Sequence, residues 1–293
     1  GQKGQSMTQK NEALCITWLG TAGFLIEAGH DGILIDPYVS REGMLRVFLG
    51  LPLRPDQQAI DKWLARLETK IHAVIVSHSH FDHCLDAPYF ALKTKALFIG
   101  SKSALNVGRG VPLEEKYLQE AEIGRDVNIG PFSLKFIKSA HGPAFLGKVP
   151  YPGKIDQPLT GPHPARDYKL GETYSVLITH ASGAILHHGS AGFITGMYEG
   201  ITADMVLLGI GGRGNTQTYL ENVALKLNAK IVVPIHFDNF FISLDKKMKN
   251  LPGVNFREFL TTADRYRNFF ALKILSIGEK TACNSWISSP PIK

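Results

Sequence analysis

The sequence predicts an α/β fold, of a length that one two-sheet sandwich domain can fill alone. Three observations carry this. Short apolar runs of strand length recur along the chain, at residues 33–36, 71–76, 205–208 and 231–236 among others. Amphipathic stripes separate several of them: Ile60, Trp63, Leu64 and Leu67 follow the i, i+3, i+4, i+7 rule of a helix lying on a core. Histidines gather where the strands end, which is where α/β folds build sites. With 293 residues, 44% hydrophobic and 20% charged, the chain can fill a large core, and global disorder is excluded.

The elements follow in order. Residues 14–20, 24–28 and 33–36 read as three successive strands, with Thr21-Ala22-Gly23 and Gly29-His30-Asp31-Gly32 as turns. His30 falls in the second turn and is expected in solvent. Asp36 closes the third strand, either as a cap or as a group orienting a ligand from behind. Residues 38–55 form a loop insertion unusually rich in apolar side chains, either a satellite core or the wall of a pocket. A helix capped by Asp56 leads to the buried strand at 71–76. Beyond the His-rich stretch come a short helix at 88–92, a strand at 96–100, a helix at 101–107 and a hairpin at 126–137. Residues 143–171 hold six prolines and little periodicity, the mark of a lid or binding loop. Strands at 173–179, 184–186 and 205–208 precede a Gly-rich bend at 209–214, which is a turn near the site and not a phosphate cradle. A helix around 220–227, a strand at 231–236, a helix at 244–249, an extended piece at 254–256, a further helix and a strand at 271–277 complete the chain.

The chemistry concentrates at His78-Ser79-His80-Phe81-Asp82-His83-Cys84-Leu85-Asp86, directly after the buried strand. Imidazoles and a carboxylate suit zinc and related borderline metals. Alternation puts His78 and His80 on one side, and a turn at Phe81 sends Asp82 and His83 to a second point. His141 and His236 each end another strand. His78, His80 and His141 can make one three-nitrogen site with an open position, and Asp82, His83 and His236 a second. His163, between two prolines, reads as structural.

Other features set bounds. The net charge of +6 raises the prior for anionic substrates or nucleic acid, but no dense Lys/Arg block is present. Three cysteines, an odd number without a CxxC, argue against a disulfide framework, and Cys84 reads as a small buried residue. No apolar run is long enough to span a membrane. Residues 1–12 are expected to be a disordered tail, either an expression remnant ahead of Met7 or the start of a mature chain whose signal peptide was removed. The compartment is cytoplasmic in the first case and periplasmic or secreted in the second. The domain proper is residues 13–293.

The order of Thr17-Trp18-Leu19-Gly20, Ile35-Asp36-Pro37, the His78–His83 motif, His141, His188-Gly189-Ser190-Ala191-Gly192 and Pro234-Ile235-His236 resembles the metallo-β-lactamase superfamily. The nearest flavour is the bacterial metal-dependent hydrolase branch that includes ascorbate-phosphate lactonases. The N-acyl phosphatidylethanolamine phospholipase D is a more distant likeness. The resemblance implies a four-layer αββα sandwich and a hydrolase using one or two zinc ions, with manganese or iron as substitutes. A zinc-bound hydroxide would cleave an ester, lactone, amide or phosphodiester, with Asp82 orienting it or taking its proton. The substrate would be a small molecule or lipid-like, not nucleic acid. One departure stands out. Most hydrolytic members place a metal-bridging Asp where this chain has Ser190, so His187 or His188, just before it, is a candidate compensating ligand. A nuclease-type phosphodiesterase is the rival enzyme reading, but the chain has no room for a clamp domain. A non-catalytic metal-binding member is the rival binding-module reading, supported by Ser190 alone.

Overall fold

The computed structural model describes residues 12–287; the expected tail at 1–12 lies, but for residue 12, outside the described residues. The chain folds into two seven-stranded mixed sheets packed face to face, with helices on their outer sides. The first sheet contains β1 (Leu14–Gly20), β2 (Gly23–Ala28), β3 (Asp31–Ile35), β4 (Lys70–Ile75), β5 (Leu97–Gly100) and β6 (Leu118–Glu120). The second contains β7 (Val127–Ile129), β8 (Phe132–Lys138), β9 (Tyr174–His180), β10 (Gly183–His188), β11 (Met205–Gly209), β12 (Ile231–Ile235) and β13 (Ala271–Leu272). The strand β14 (Lys280–Ala282) returns to pair with β1 at the edge of the first sheet.

Both sheets are half antiparallel and half parallel. In the first, β1–β2–β3 are antiparallel and β3–β4–β5–β6 parallel. In the second, β7–β8–β9–β10 are antiparallel and β10–β11–β12–β13 parallel. The switch strands are therefore β3 and β10. Parallel strands buried on both faces read as continuous apolar runs, which is why Ile231–Ile235 and Met205–Gly209 are wholly buried.

Between the sheets lies a core that includes Trp18, Phe24, Ile26, Phe132, Phe136 and Ile185, all nearly inaccessible. On the far side of the first sheet, α1 (Met44–Phe48), α2 (Gln57–Leu64), the single turn α3 (Phe81–Cys84), α4 (Ala87–Thr94) and α5 (Lys102–Arg109) form a second core with Leu34, Val74, Val76 and Phe98. The helices α6 (Thr216–Asn222) and α7 (Phe256–Asp264) pack Tyr219, Leu220, Phe259 and Ala263 on the second sheet. This gives the four layers in the order the resemblance implied. Asp56 caps α2 by accepting from Gln58 N and Ala59 N, as expected.

Several local expectations fail for physical reasons. Residues 244–249 form turns, not a helix. Asn239 N donates to Lys249 O and Leu251 N to Phe237 O, so the segment folds back on itself, and its lysines offer no apolar stripe to hold a helix. Phe256 opens α7 behind the Asn255 cap, so the extended piece at 254–256 stops at Val254. The last strand keeps only Ala271–Leu272. The insertion at 38–55 contains α1, and only Val47 and Leu53 of its apolar set from residue 44 onward are buried. The loop at 143–171 is tied down: Ser79 N donates to Leu170 O, Leu170 N to Tyr151 O and Leu159 N to Asn106 O.

Candidate metal centre

Each site residue sits where a strand runs out. Val76 N donates to Ile99 O, one residue past β4, and the chain then turns. Ser77 makes the turn by giving its N–H to Asp36 Oδ1 at 2.7 Å and its hydroxyl to Asp36 Oδ2 at 2.5 Å. Asp36 holds a φ of +48°, a conformation Asp tolerates better than most residues. Its Oδ2 also takes His83 Nδ1–H at 2.7 Å. This fully buried carboxylate therefore fixes the His83 tautomer and leaves Nε2 free to coordinate. His80 ends the turn: its carbonyl accepts from His83 N and Cys84 N, which starts α3 and lays the His83 ring against that of His78.

The other two histidines come from the second sheet. His141 follows β8 and bridges Ala191, with Gly142 N donating to Ser190 O at 2.9 Å. A Cβ at Gly142 would lie 2.4 Å from Gly212 O, so only glycine allows this approach. His236 follows β12 with a φ of +58° and gives its N–H to Thr21 O. Asp238 clamps the same corner from below, accepting from Thr21 N and from Arg41 Nη2 at 2.6 Å in a buried ion pair.

These placements make two triads, His78/His80/His141 and Asp82/His83/His236, each with ligand atoms within 4.8 Å of one another. The triads adjoin: the His78 and His83 rings are 3.8 Å apart at their centroids. Buried and without a hydrogen-bond partner among the described residues are the Nε2 atoms of His78, His80 and His83. Buried polar atoms are normally paired, so converging lone pairs of this kind fit a cation that the side chains themselves do not supply. Electrostatics agree. Burial, with the neighbouring His141, holds His80 down to about 3, and burial holds His141 down to about 4, so both rings are neutral at pH 7 and could offer lone pairs. Burial opposes ionisation of Asp82, but His83 and His236 outweigh it and keep the carboxyl well below its ordinary range. Burial would likewise depress His83, yet Asp82 and Asp36 raise it.

The remaining candidates lie around this centre. Ser190 gives its hydroxyl to Ala140 O at 2.9 Å. His188 is engaged at both nitrogens, Nε2 with Gly192 O at 2.5 Å and Nδ1 with Tyr198 Oη at 2.5 Å and Ser175 Oγ at 3.1 Å. His187 bonds Ala22 O. His163 is held by Asp167 and Thr160 O, and His30 is exposed. Cys84 is buried, and all three cysteines are free thiols. The Gly-rich bend does border the site, since a Cβ at Gly211 would meet His236 O at 2.3 Å.

Sequence reasoning passed over Ser77, Arg41 and Asp238, which carry no local pattern. Tyr151 is expected only as one aromatic of the 143–171 loop, with no role beside His80, although Pro150-Tyr151-Pro152 marks a constrained position. Tyr151 stands edge-on to His80 at 6.0 Å with a φ of +42°, and the Pro150 carbonyl bonds the His80 ring. Burial and the Asp82 charge raise the Tyr151 phenol, so it stays protonated and able to donate.

Comparison with known proteins agrees with this geometry. Residues 15–236 match the beta-lactamase superfamily domain. A metal-dependent hydrolase of Carboxydothermus hydrogenoformans is 25% identical over 230 residues, 77% of this chain and 85% of the relative. A metal-dependent hydrolase of Polynucleobacter asymbioticus is 26% identical over 238 residues, 76% of this chain and 74% of the relative. In structure, a metallo hydrolase of the archaeon Ignicoccus hospitalis superposes with a TM-score of 0.60 at 16% identity, covering 92% of this chain and 97% of the other. An isothiocyanate hydrolase from Delia radicum gut bacteria gives a TM-score of 0.57 at 16% identity, covering 92% and 98%. These likenesses carry the fold. No helix among the described residues is long and apolar enough to cross a membrane. With most of its length matched and the ligand-bearing strand ends in register with the motif order, the chain belongs to the metallo-β-lactamase superfamily.

Proposed function

We propose that this protein is a metal-dependent hydrolase acting on an ester, lactone, amide or phosphodiester. The observation that carries the reading is the pair of adjoining triads with three buried, unpartnered imidazole nitrogens. His78, His80 and His141 would hold one zinc ion, and Asp82, His83 and His236 a second. When bound, such an ion supplies Lewis acidity and a water whose pKa falls from 15.7 to about 7.

The chain's own groups supply the rest. Asp82 is ionised and buried between the triads' edges, placed to accept a proton as the bond to the acyl or phosphoryl centre forms. Asp36 and Ser77 keep His83 in one tautomer, so it does not compete for that proton at Nδ1. Tyr151, protonated at the mouth, donates to negative charge developing on the substrate. The Arg41–Asp238–Thr21 clamp keeps His236 in place against Asp82, which it meets at 3.1 Å.

The test is metal analysis of the purified protein with hydrolysis assays on phosphodiester, lactone and acyl-ester panels. Bound metal, turnover on one panel and its loss in His78→Ala and His80→Ala are the expected results. Protein that binds no metal, with any turnover untouched by those substitutions, would end the hydrolase reading.

A further inference from the structure

The insertion at 38–55 leaves an apolar surface that folding does not use. On α1 and after it, Leu45 is 77% exposed, Phe48 58% and Leu49 69%. The tip of the second loop adds Leu146 at 87% and Phe145 at 53%. Exposed apolar residues scattered singly need no explanation, but these are contiguous: the Phe48 ring lies 6.1 Å from Phe145 and 6.1 Å from Phe241. From there the aromatic contacts run inward. Phe241 meets Phe240 at 4.4 Å, and Phe240 stands edge-on to His236 at 5.3 Å and near Phe81 at 6.3 Å. One apolar track thus joins the outer surface to a ligand of the mixed triad.

The rim of this surface is cationic. Arg166 reaches over Gly50, where a Cβ would lie 2.6 Å from its Nη1. Lys148 pairs by backbone with Phe145. Lys249 O accepts from Asn239 N, beside Phe240. Exposed Arg54 closes the first loop. None of these four has an ion-pair partner among the described residues, whereas the acids Glu42, Asp245 and Asp167 are paired with Arg46, Lys62 and His163, and Asp56 caps α2. An apolar centre with an unneutralised basic border is complementary to one kind of partner, a lipid surface bearing anionic headgroups.

We propose that this face docks on an anionic lipid surface, and that the site takes an amphiphile whose apolar chain lies along Phe48, Phe241 and Phe240 while its polar linkage reaches the triads. The choice of substrate rests on the hydrolase reading; the docking does not. Exposed leucine and phenylalanine tips would enter the headgroup boundary, and Lys148 and Arg166 would meet the phosphates.

The experiment separates the two. Metal-free protein is sedimented with vesicles of phosphatidylcholine containing phosphatidylglycerol, and with phosphatidylcholine alone. Binding to the anionic vesicles, weakened by salt, is expected. Leu45→Asp and Phe48→Asp should each lower it about tenfold, because each withdraws one buried side chain from the lipid. Melting temperature and metal stoichiometry of these variants should match the parent. Lys148→Glu with Arg166→Glu should lower binding to anionic vesicles and leave any residual neutral binding unchanged. No binding to either vesicle, or binding indifferent to Leu45→Asp and Phe48→Asp, overturns the proposal. So does light scattering that shows a dimer dissolved by Phe48→Asp, since a second copy would then cover the face. In the metal-loaded arm, turnover of short soluble esters without vesicle binding sinks the docking and leaves the hydrolase reading. Vesicle binding without turnover of any ester does the reverse.

Discussion

The two triads share one short segment and a common wall, yet they are held in opposite ways. The all-histidine group leans on neutral partners: Ser77 Oγ is 3.3 Å from His78 Nδ1, Gly142 O is 2.7 Å from His141 Nδ1, and the Pro150 carbonyl serves His80. The mixed group leans on carboxylates, with Asp82 inside it and Asp36 behind His83. A cation entering the first meets lone pairs and dipoles; one entering the second also meets formal negative charge. Opposite charge at a few ångströms in a buried setting is a large term, so the partners behind the ligands decide how the two positions rank.

Substitutions can break this contrast. His80→Ala strikes the all-histidine group directly, and hydrolysis should fall about 10²- to 10³-fold or more, comparable with losing a main electrostatic stabiliser. Metal analysis beside the assay should show the bound ion lost from that group. Asp36→Asn should act mainly on the mixed group, lowering its metal affinity about 10- to 100-fold, and reach the all-histidine group only indirectly, through Ser77 and His78. Competitive chelator titration reads this as one strongly weakened step and one weakened far less. If both steps weaken equally, the two groups are not separately supported.

Acidity sharpens the contrast more gently. Burial keeps His80 down to about 3, and His141 and His188 down to about 4, so the folded rings stay neutral at pH 5 while the unfolded chain takes up protons near 6.5. The unfolded state then binds more protons, so stability falls as pH falls below about 6.5 and stops falling below the folded values. The loss at pH 5 is on the order of 2 kcal/mol per ring, partly offset by His83, which shifts the other way. Thermal melts of metal-free protein at pH 7 and pH 5 measure it. The smallest effect expected is that of Ser190→Ala. It removes one hydrogen bond to Ala140 O, about 1 kcal/mol, and should leave the metal stoichiometry of both groups unchanged. A lost metal would instead place Ser190 among the ligands.

What the sequence made legible follows the same division between local and distant. The six triad residues could be grouped because four lie within six positions, and the other two end strands whose apolar runs are plain. The buried strands were legible for the same reason: parallel strands such as Ile231–Ile235 are apolar throughout, whereas the four-layer sandwich came from the resemblance of the motif order. Support from a distance was not. Arg41 meets Asp238 across 197 positions, with no periodicity to announce it. The edge strands β6 and β14 are three residues each, too short to show alternation. The apolar run at 44–51 was visible, but sequence pattern alone does not distinguish a face turned inward from one turned to solvent.

The origin of the ligands has one more consequence. His78, His80, Asp82 and His83 follow β4 of the first sheet, while His141 and His236 follow β8 and β12 of the second. Each triad is therefore a crosspiece between the halves of the sandwich. Backbone ties between the halves at this end include Thr21 O to His236 N and Ser77 O to Tyr174 N. An ion in either position would add a further link between the halves, so it would also serve as a mechanical fastener. Stripping it would loosen the mouth first, while the apolar middle, centred on Trp18, Phe24 and Phe132, kept the sheets together.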